Sequence, residues 1–267
     1  MKVLVISDVH SNIHALEAVS AAEPDAELVL FAGDMVDFGY FPHEVIEWFR
    51  SRKCICVAGN HDRGIVALSH SAGADTGEVP NYAQYNLMHM TKEDLEYLAA
   101  LPEEARFEID GISYYMAHYY GSDELEGEEY FERQYLRNEF IASFEKLWRE
   151  KMPEHKTQKR RVILGHSHRS ITLRRGGEDM LLNPGAVGFQ LGSDHLFAHG
   201  ADYMVIENGE VMSRHVEYDG AVIRQFVKSV PLQESALRAA EGNFHTILFP
   251  ERRKNEMDAH LKEFFIL

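Results

Sequence analysis

The sequence predicts an α/β fold of four layers, two mixed β-sheets face to face with helices outside them. Three observations point there. Early in the chain, short apolar runs alternate with helical patterns, which argues for parallel strands joined by helices. From residue 107 onward, short strand-like runs are separated by turn pairs, which argues for hairpins. The length, 267 residues, fits one large domain with an embedded insertion.

The elements follow in order. Val3-Leu4-Val5-Ile6 is short, β-branched and continuous, the pattern of a buried strand. Residues Ile13 to Ala22 read as a helix with Leu16 and Val19 on one face and Pro24 just past its end. Leu28 to Ala32 is a second strand, Glu44 to Arg50 a helix, and Cys54 to Ala58 a third strand. Thr91 followed by Asp94 is a capping box ahead of Leu95 and Leu98, and Leu101-Pro102 ends that helix. Phe107 to Ile109 and Ile112 to Ala117 form a hairpin about Asp110-Gly111. Val162 to Leu164, Ile171 to Arg174, Met180 to Leu182 and Tyr203 to Glu207 are further strands, with turns at Gly176-Gly177 and Asn208-Gly209. The second half is therefore expected to be a largely antiparallel sheet.

Two segments stand apart. Residues 119–159 separate two strands by far more than an ordinary connection. They read as a cap over the first domain, residues 1–218, or as a helix pair on its outer surface. Residues 219–267 read as a helical extension packed on the same domain, with no function assigned.

The formal charge is −16, from 27 Lys and Arg against 43 Asp and Glu. No basic block offsets it, so long nucleic acid is not an expected partner. A bound cation would reverse the sign locally, so an anionic small substrate is not excluded. Cys54 and Cys56 would share one face of a strand and read as reduced, buried thiols. No run reaches membrane-spanning length, and the first apolar run is too short for a signal peptide. The expected compartment is the cytoplasm.

Five motifs carry chemistry: Asp8-Val9-His10, Gly33-Asp34-Met35-Val36-Asp37, Gly59-Asn60-His61-Asp62, the lone His118, and Gly165-His166-Ser167-His168. Taken singly, Asp-x-His or Gly-Asp is ordinary turn chemistry, and a lone His is more often a core residue. Each of the five directly follows an expected strand, and ligands gather beyond the carboxyl ends of parallel strands. Asp, His and Asn supply the oxygen and nitrogen donors that suit divalent first-row metals. In the two triplets the donors are i and i+2, so an extended backbone would point both one way. The glycines before Asp34, Asn60 and His166 permit backbone conformations closed to other residues.

With these motifs the sequence resembles the calcineurin-like metallophosphoesterases, in particular their small bacterial and archaeal phosphodiesterase branch. The resemblance spans roughly residues 1 to 217. It includes Ser7-Asp8-Val9-His10-Ser11-Asn12 with Ala15-Leu16, and the late Asn183-Pro184-Gly185-Ala186-Val187-Gly188. It implies two divalent ions, manganese first, with iron, nickel, cobalt or zinc as alternatives. By resemblance Asp8, His10 and His168 hold one ion, Asn60, His118 and His166 hold the other, and Asp34 bridges them. It also implies His61 as general acid with Asp37 steadying its ring, and attack on phosphorus by a hydroxide bridging the metals. The family's protein phosphatases carry Arg after the second Asp of Gly-Asp-x-x-Asp; here that position is Phe38. Arg63 and Arg169 adjoin metal motifs and are candidate substitutes, so the substrate-binding set is Asn60, His61, Phe38, Arg63 and Arg169. The expected activity is hydrolysis of phosphodiesters of small molecules or nucleotides. A phosphomonoesterase of the same fold, a nuclease, and a protein-binding scaffold that has lost catalysis are the alternatives. Nothing in the sequence fixes the oligomeric state.

Overall fold

Among the residues described, the strands in chain order are β1 (Lys2–Ile6), β2 (Leu28–Phe31), β3 (Cys54–Cys56), β4 (Glu104–Ile109), β5 (Ile112–Ala117), β6 (Arg160–Ile163), β7 (Ser170–Arg175), β8 (Asp179–Pro184), β9 (Ala201–Glu207) and β10 (Glu210–Val216). The structure, a computed structural model, describes residues 1–71, 80–120, 146–152, 159–175, 179–188, 200–227 and 229–230. The strands form two five-stranded mixed sheets, ordered β10-β9-β1-β2-β3 and β4-β5-β6-β8-β7. In the first, β1, β2 and β3 run parallel while β9 is antiparallel to β1. In the second, β6 is parallel to both β5 and β8.

Side-chain alternation sorts the core into layers. Val3, Val5, Leu28 and Leu30 point between the sheets and meet Ile112, Tyr114, Met116, Ile163 and Leu182. Leu4, Ile6, Val29 and Phe31 point the other way. There they meet Leu16 and Val19 of α1 (Ile13–Ala22) and Val45, Ile46 and Phe49 of α2 (Pro42–Arg50). Leu30 is fully buried, so Leu30→Ala would cost about 2–5 kcal/mol. Three more helices follow β3: α3 (Asn60–Ser69), α4 (Tyr82–Met88) and α5 (Lys92–Ala99). The α5 capping box forms as expected, with Asp94 N–H donating to Thr91 Oγ1 at 3.1 Å and Thr91 N–H to Asp94 Oδ2 at 2.8 Å.

The expectation of an antiparallel second half needs correction. The turn at Asn208-Gly209 does join an antiparallel pair, β9 and β10, but that pair completes the first sheet. A turn dipeptide fixes how two neighbours pair, not which sheet they join. The burial of β9 decides that. Ala201, Tyr203 and Val205 face the helices while Met204 and Ile206 face the second sheet. The Gly176-Gly177 turn lies outside the described residues, although the β7 and β8 it would join pair antiparallel.

Of the 119–159 segment, residues 121–145 and 153–158 lie outside the described residues. The helical stretch 146–151 packs Leu147 and Trp148, with Met152 just beyond, on Tyr115, Ala117, Val162 and Leu181, the outer face of the second sheet. Of the C-terminal extension, the described part is the helix Ala221–Val227 and residues 229–230.

Candidate metal centre

The ends of β1, β2, β3, β5 and β6 deliver the five motifs to one place. Short backbone contacts lock those ends together. Asp8 N–H donates to Gly33 O at 2.9 Å, and Gly165 N–H donates to His118 O at 2.9 Å. His166 N–H reaches across the sheets to Asp8 Oδ2 at 3.1 Å. Asn183 braces the last motif, its amide donating to Gly165 O at 2.7 Å and Ser167 Oγ at 2.9 Å.

Two groups of donors result. One atom each of Asp8, His10, Asp34 and His168 lie within 4.8 Å of one another, and so do atoms of Asp34, His118 and His166. Asp34 belongs to both. His10 Nε2 and His168 Nε2 face each other at 3.3 Å, and His168 Nε2 lies 3.1 Å from Asp8 Oδ1. His118 Nε2 lies 3.0 Å from Asp34 Oδ2 and 3.2 Å from His166 Nδ1. His118 Nδ1 sits 2.7 Å from the carbonyl of Ala32, which can only accept. The Nδ1 proton is thereby fixed, and Nε2 turns toward Asp34, the arrangement that prepares an imidazole as a ligand. Asn60 opens α3 beside this cluster, and its Oδ1 is buried with no hydrogen-bond partner. A buried acceptor left without a donor is costly, and a cation satisfies it. The residues therefore fit divalent metal ions.

The electrostatics agree. Burial drives the His10 ring down to about 3, and burial with the neighbouring His118 charge does the same to His166, so both keep lone pairs. Burial opposes ionisation of Asp34, but His118 and His61 outweigh it and hold the carboxyl well below its usual range. Burial lowers the His118 and His61 rings, yet the Asp34 charge prevails and both rise to about 9. At His118 a metal ion would take the place of that proton.

The route to convergence differs from the sequence expectation. Asp8, His10, Asp34, His166 and His168 all have left-handed backbone, with φ between 48° and 66°, and Asp37 at 74° and Phe38 at 57° are left-handed too. The i, i+2 donors thus converge through turns, not through extended chain. Such residues are sparse and cluster where surrounding structure over-determines them. Of the three glycines, Gly33 alone has positive φ, +96°, and a Cβ there would meet His118 Nδ1 at 2.7 Å. Gly59 and Gly165 are needed for space: a Cβ would strike Asp34 at the first and Ser7 at the second.

The remaining candidates fall around the centre. His61 Nδ1 is 2.8 Å from Asp37 Oδ2, and His61 N–H donates to Asp34 Oδ1 at 2.9 Å. The Phe38 ring packs 4.7 Å from the His61 ring and 5.3 Å from that of His10. Arg63 Nη2 donates to Tyr119 Oη at 3.1 Å. Arg169 directly follows His168 and is half-buried.

Two buried polar residues act here that the motif reading left without roles. Asp62 accepts from the backbone N–H of Asp34, Met35, Val36 and Gly59 at 2.8–3.2 Å, tying the second motif to the third. Its carboxyl is pushed up to about 6, by burial first and then by the Asp34 charge. Its signal was position: third in a helix opening at Asn60. Asn86 on α4 accepts from Ser11 Oγ and from Asp37 N–H, and its amide donates to Gly39 O and Tyr82 O. Nothing in the local sequence marks it. The extension also reaches these loops, with Phe226 packed on Tyr40 and Phe41, and Tyr218, just before the extension, accepts through Oη from Asn12 at 2.9 Å.

An α/β sandwich with clustered Asp and His at its strand ends defines a class, folds with a candidate metal centre, and comparison makes it specific. A profile of the calcineurin-like phosphoesterase superfamily domain matches residues 1–205, and the chain belongs to that superfamily. It is similar in structure to a metallophosphoesterase from Sphaerobacter thermophilus, with TM-score 0.64 and 24% identity, covering 91% of this chain and 98% of that one. It is also similar to a hypothetical protein from Pyrococcus horikoshii, with TM-score 0.66 and 19% identity, covering 90% and 98%. Both likenesses concern the fold. An uncharacterized protein from Methanocaldococcus jannaschii is 39% identical over 66 residues, which is 24% of this chain and 27% of that protein. Among the described residues no helix is long and apolar enough to cross a membrane.

Proposed function

We propose that this chain is a dinuclear metal-dependent phosphodiesterase acting on small phosphodiesters, nucleotides included. The observation that carries the reading is Asp34, shared by two donor groups, with His61 bonded to Asp37 beside it. Asp8, His10, Asp34 and His168 would hold one ion, and Asp34, Asn60, His118 and His166 the other. When bound, the ions would neutralise phosphoryl charge and supply an activated water, manganese being the first candidate.

The chain's own residues do the rest. Asp37 accepts the Nδ1 proton of His61 and fixes the ring, so that Nε2 carries the proton to be donated. As the water oxygen bonds to phosphorus and the ester bond opposite breaks, the leaving oxygen takes that Nε2 proton. The hydrogen bond to the Asp37 carboxylate favours the protonated ring. Phe38 walls the leaving-group side with an apolar ring. The reading is tested with bis(p-nitrophenyl) phosphate and the purified chain. Turnover should vanish on exhaustive chelation and return with Mn²⁺, and Asp34→Ala should be the most damaging ligand change. A fully metal-loaded chain that turns over neither diester nor monoester would leave the scaffold reading standing.

A further inference from the structure

Arg63 stands on α3 directly after the His61-Asp62 pair, and its side chain is 36% exposed. Nη2 donates to Tyr119 Oη at 3.1 Å, and the guanidinium carbon lies 5.7 Å from the centre of the Tyr119 ring. That ring in turn lies 5.3 Å from the His166 ring and 6.1 Å from the His118 ring. A cation is thus fixed beside the His118 and His166 rings, while Phe38 packs on His10 and His61. Its carboxylate neighbour is Glu103 at 3.6 Å, outside hydrogen-bond range, with a side chain 76% exposed. Exposed pairs of that kind are weak. Of the five guanidinium N–H groups, most therefore remain uncommitted among the described residues. In a chain of net charge −16, a positioned arginine at the rim is a local exception.

We propose that Arg63, held by Tyr119, forms a subsite for a second anionic group on the substrate, a further phosphate or a carboxylate. The inference rests on the phosphodiesterase reading and narrows its substrate class. His61 serves the leaving oxygen, so the leaving alcohol lies on the Phe38 side. The half that keeps the scissile phosphate then faces Tyr119 and Arg63. The simplest occupant is a nucleotide carrying a second phosphate, because a guanidinium fork matches phosphate oxygens in pairs.

The test is calorimetric binding to the full chain loaded with Mn²⁺, comparing thymidine 5′-monophosphate with thymidine 3′,5′-bisphosphate. The bisphosphate should bind about 10-fold more tightly, equivalent to about 1.4 kcal/mol. Arg63→Gln should bring the two ligands level. Tyr119→Phe, which keeps the ring and loses the hydroxyl acceptor, should retain only part of the gain, and so should Arg63→Lys. A monophosphate bearing a carboxymethyl group at the 3′ oxygen separates the two anion sources: an equal gain marks a general anion subsite, a smaller gain one selective for phosphate. Equal binding of the first two ligands by the wild type, or a bisphosphate gain that survives in Arg63→Gln, overturns the proposal. Diester turnover is scored separately. Its absence would overturn the enzymatic reading, while the binding ratio would still decide the subsite.

Discussion

Asp37 Oδ2 lies 2.8 Å from His61 Nδ1, and Asp37 is itself held by its N–H to Asn86 at 3.1 Å. A line of contacts therefore runs from α4 through the 37–39 turn to the imidazole that flanks Asp34. In the proposed reaction it separates two jobs in neighbouring residues: Asn60 would offer a donor atom to the centre, and His61 would offer a proton.

That separation is measurable. His61→Ala should lower kcat by about 10²–10⁴, the usual worth of a positioned acid. Metal content by atomic absorption should hardly change, because His61 lies in neither donor group. Asp37→Asn keeps the shape and weakens the charge, so its loss should be smaller. A His61→Ala protein that no longer retains metal would place His61 among the ligands and remove it as the acid.

Asp62 offers a different test. Four buried backbone N–H groups converge on its carboxylate. Asp62→Ala leaves them without an acceptor, and each such loss costs about 1–3 kcal/mol, though not additively. The expected outcome is a loss of several kcal/mol in urea unfolding together with reduced metal retention, since the freed segments carry Asp34 and Asn60. Unchanged stability with unchanged metal content would show that the two loops hold themselves.

These cases also show what the sequence made legible. The motifs that converge at the candidate centre were readable because each pairs a strand end with donor-type residues, a local pattern. The span of α1 was readable because Leu16 and Val19 share a face and Pro24 follows the end. Asn86 was not, because its partners Ser11 and Asp37 lie 75 and 49 residues away. The sheet that β9 joins was not readable for the same reason: its partner is β1, at the other end of the chain. Left-handed backbone at Asp8 and His10 is imposed by contacts with the second motif, including N–H bonds from Asp8, Val9 and His10 to Gly33 O and Asp34 O, and no local propensity announces it.

A pH-dependent contribution to stability should come from His43, away from the centre. Its Nδ1 lies 2.8 Å from Asp94 Oδ2, and the hydrogen bond to Asp94 raises its pKa above the ordinary histidine value. A group raised on folding stabilises fully below its unfolded pKa of about 6.5 and loses that contribution as pH rises through the folded value. His43→Ala should therefore lower Tm at pH 5.5 and leave it nearly unchanged at pH 9.5. The side chain is 43% exposed, so solvent screening keeps the effect small. An equal Tm loss at both pH values would mean that packing, not charge, holds His43 in place.

Ester preference tests the part played by Phe38. A monoester near neutral pH carries close to two negative charges and a diester one, so a guanidinium beside the scissile phosphate favours the monoester. Here the residue after Asp37 presents an aromatic ring 4.7 Å from His61, on the side where the leaving group would sit. That ring gives the leaving alcohol an apolar surface and puts no guanidinium beside the scissile phosphate, so a monoester's extra charge gains nothing from it. The wild type should prefer bis(p-nitrophenyl) phosphate to p-nitrophenyl phosphate by about 10-fold in kcat/KM, or about 1.4 kcal/mol. Phe38→Arg should narrow that gap by raising monoester turnover, while Phe38→Leu, apolar but not aromatic, should keep most of it. Phe38 has φ +57°, which both substitutions must share, so strain alone would lower them together. A gap that closes equally in both variants would therefore trace the preference to backbone geometry. A clear monoester preference in the wild type would sink the diesterase reading itself.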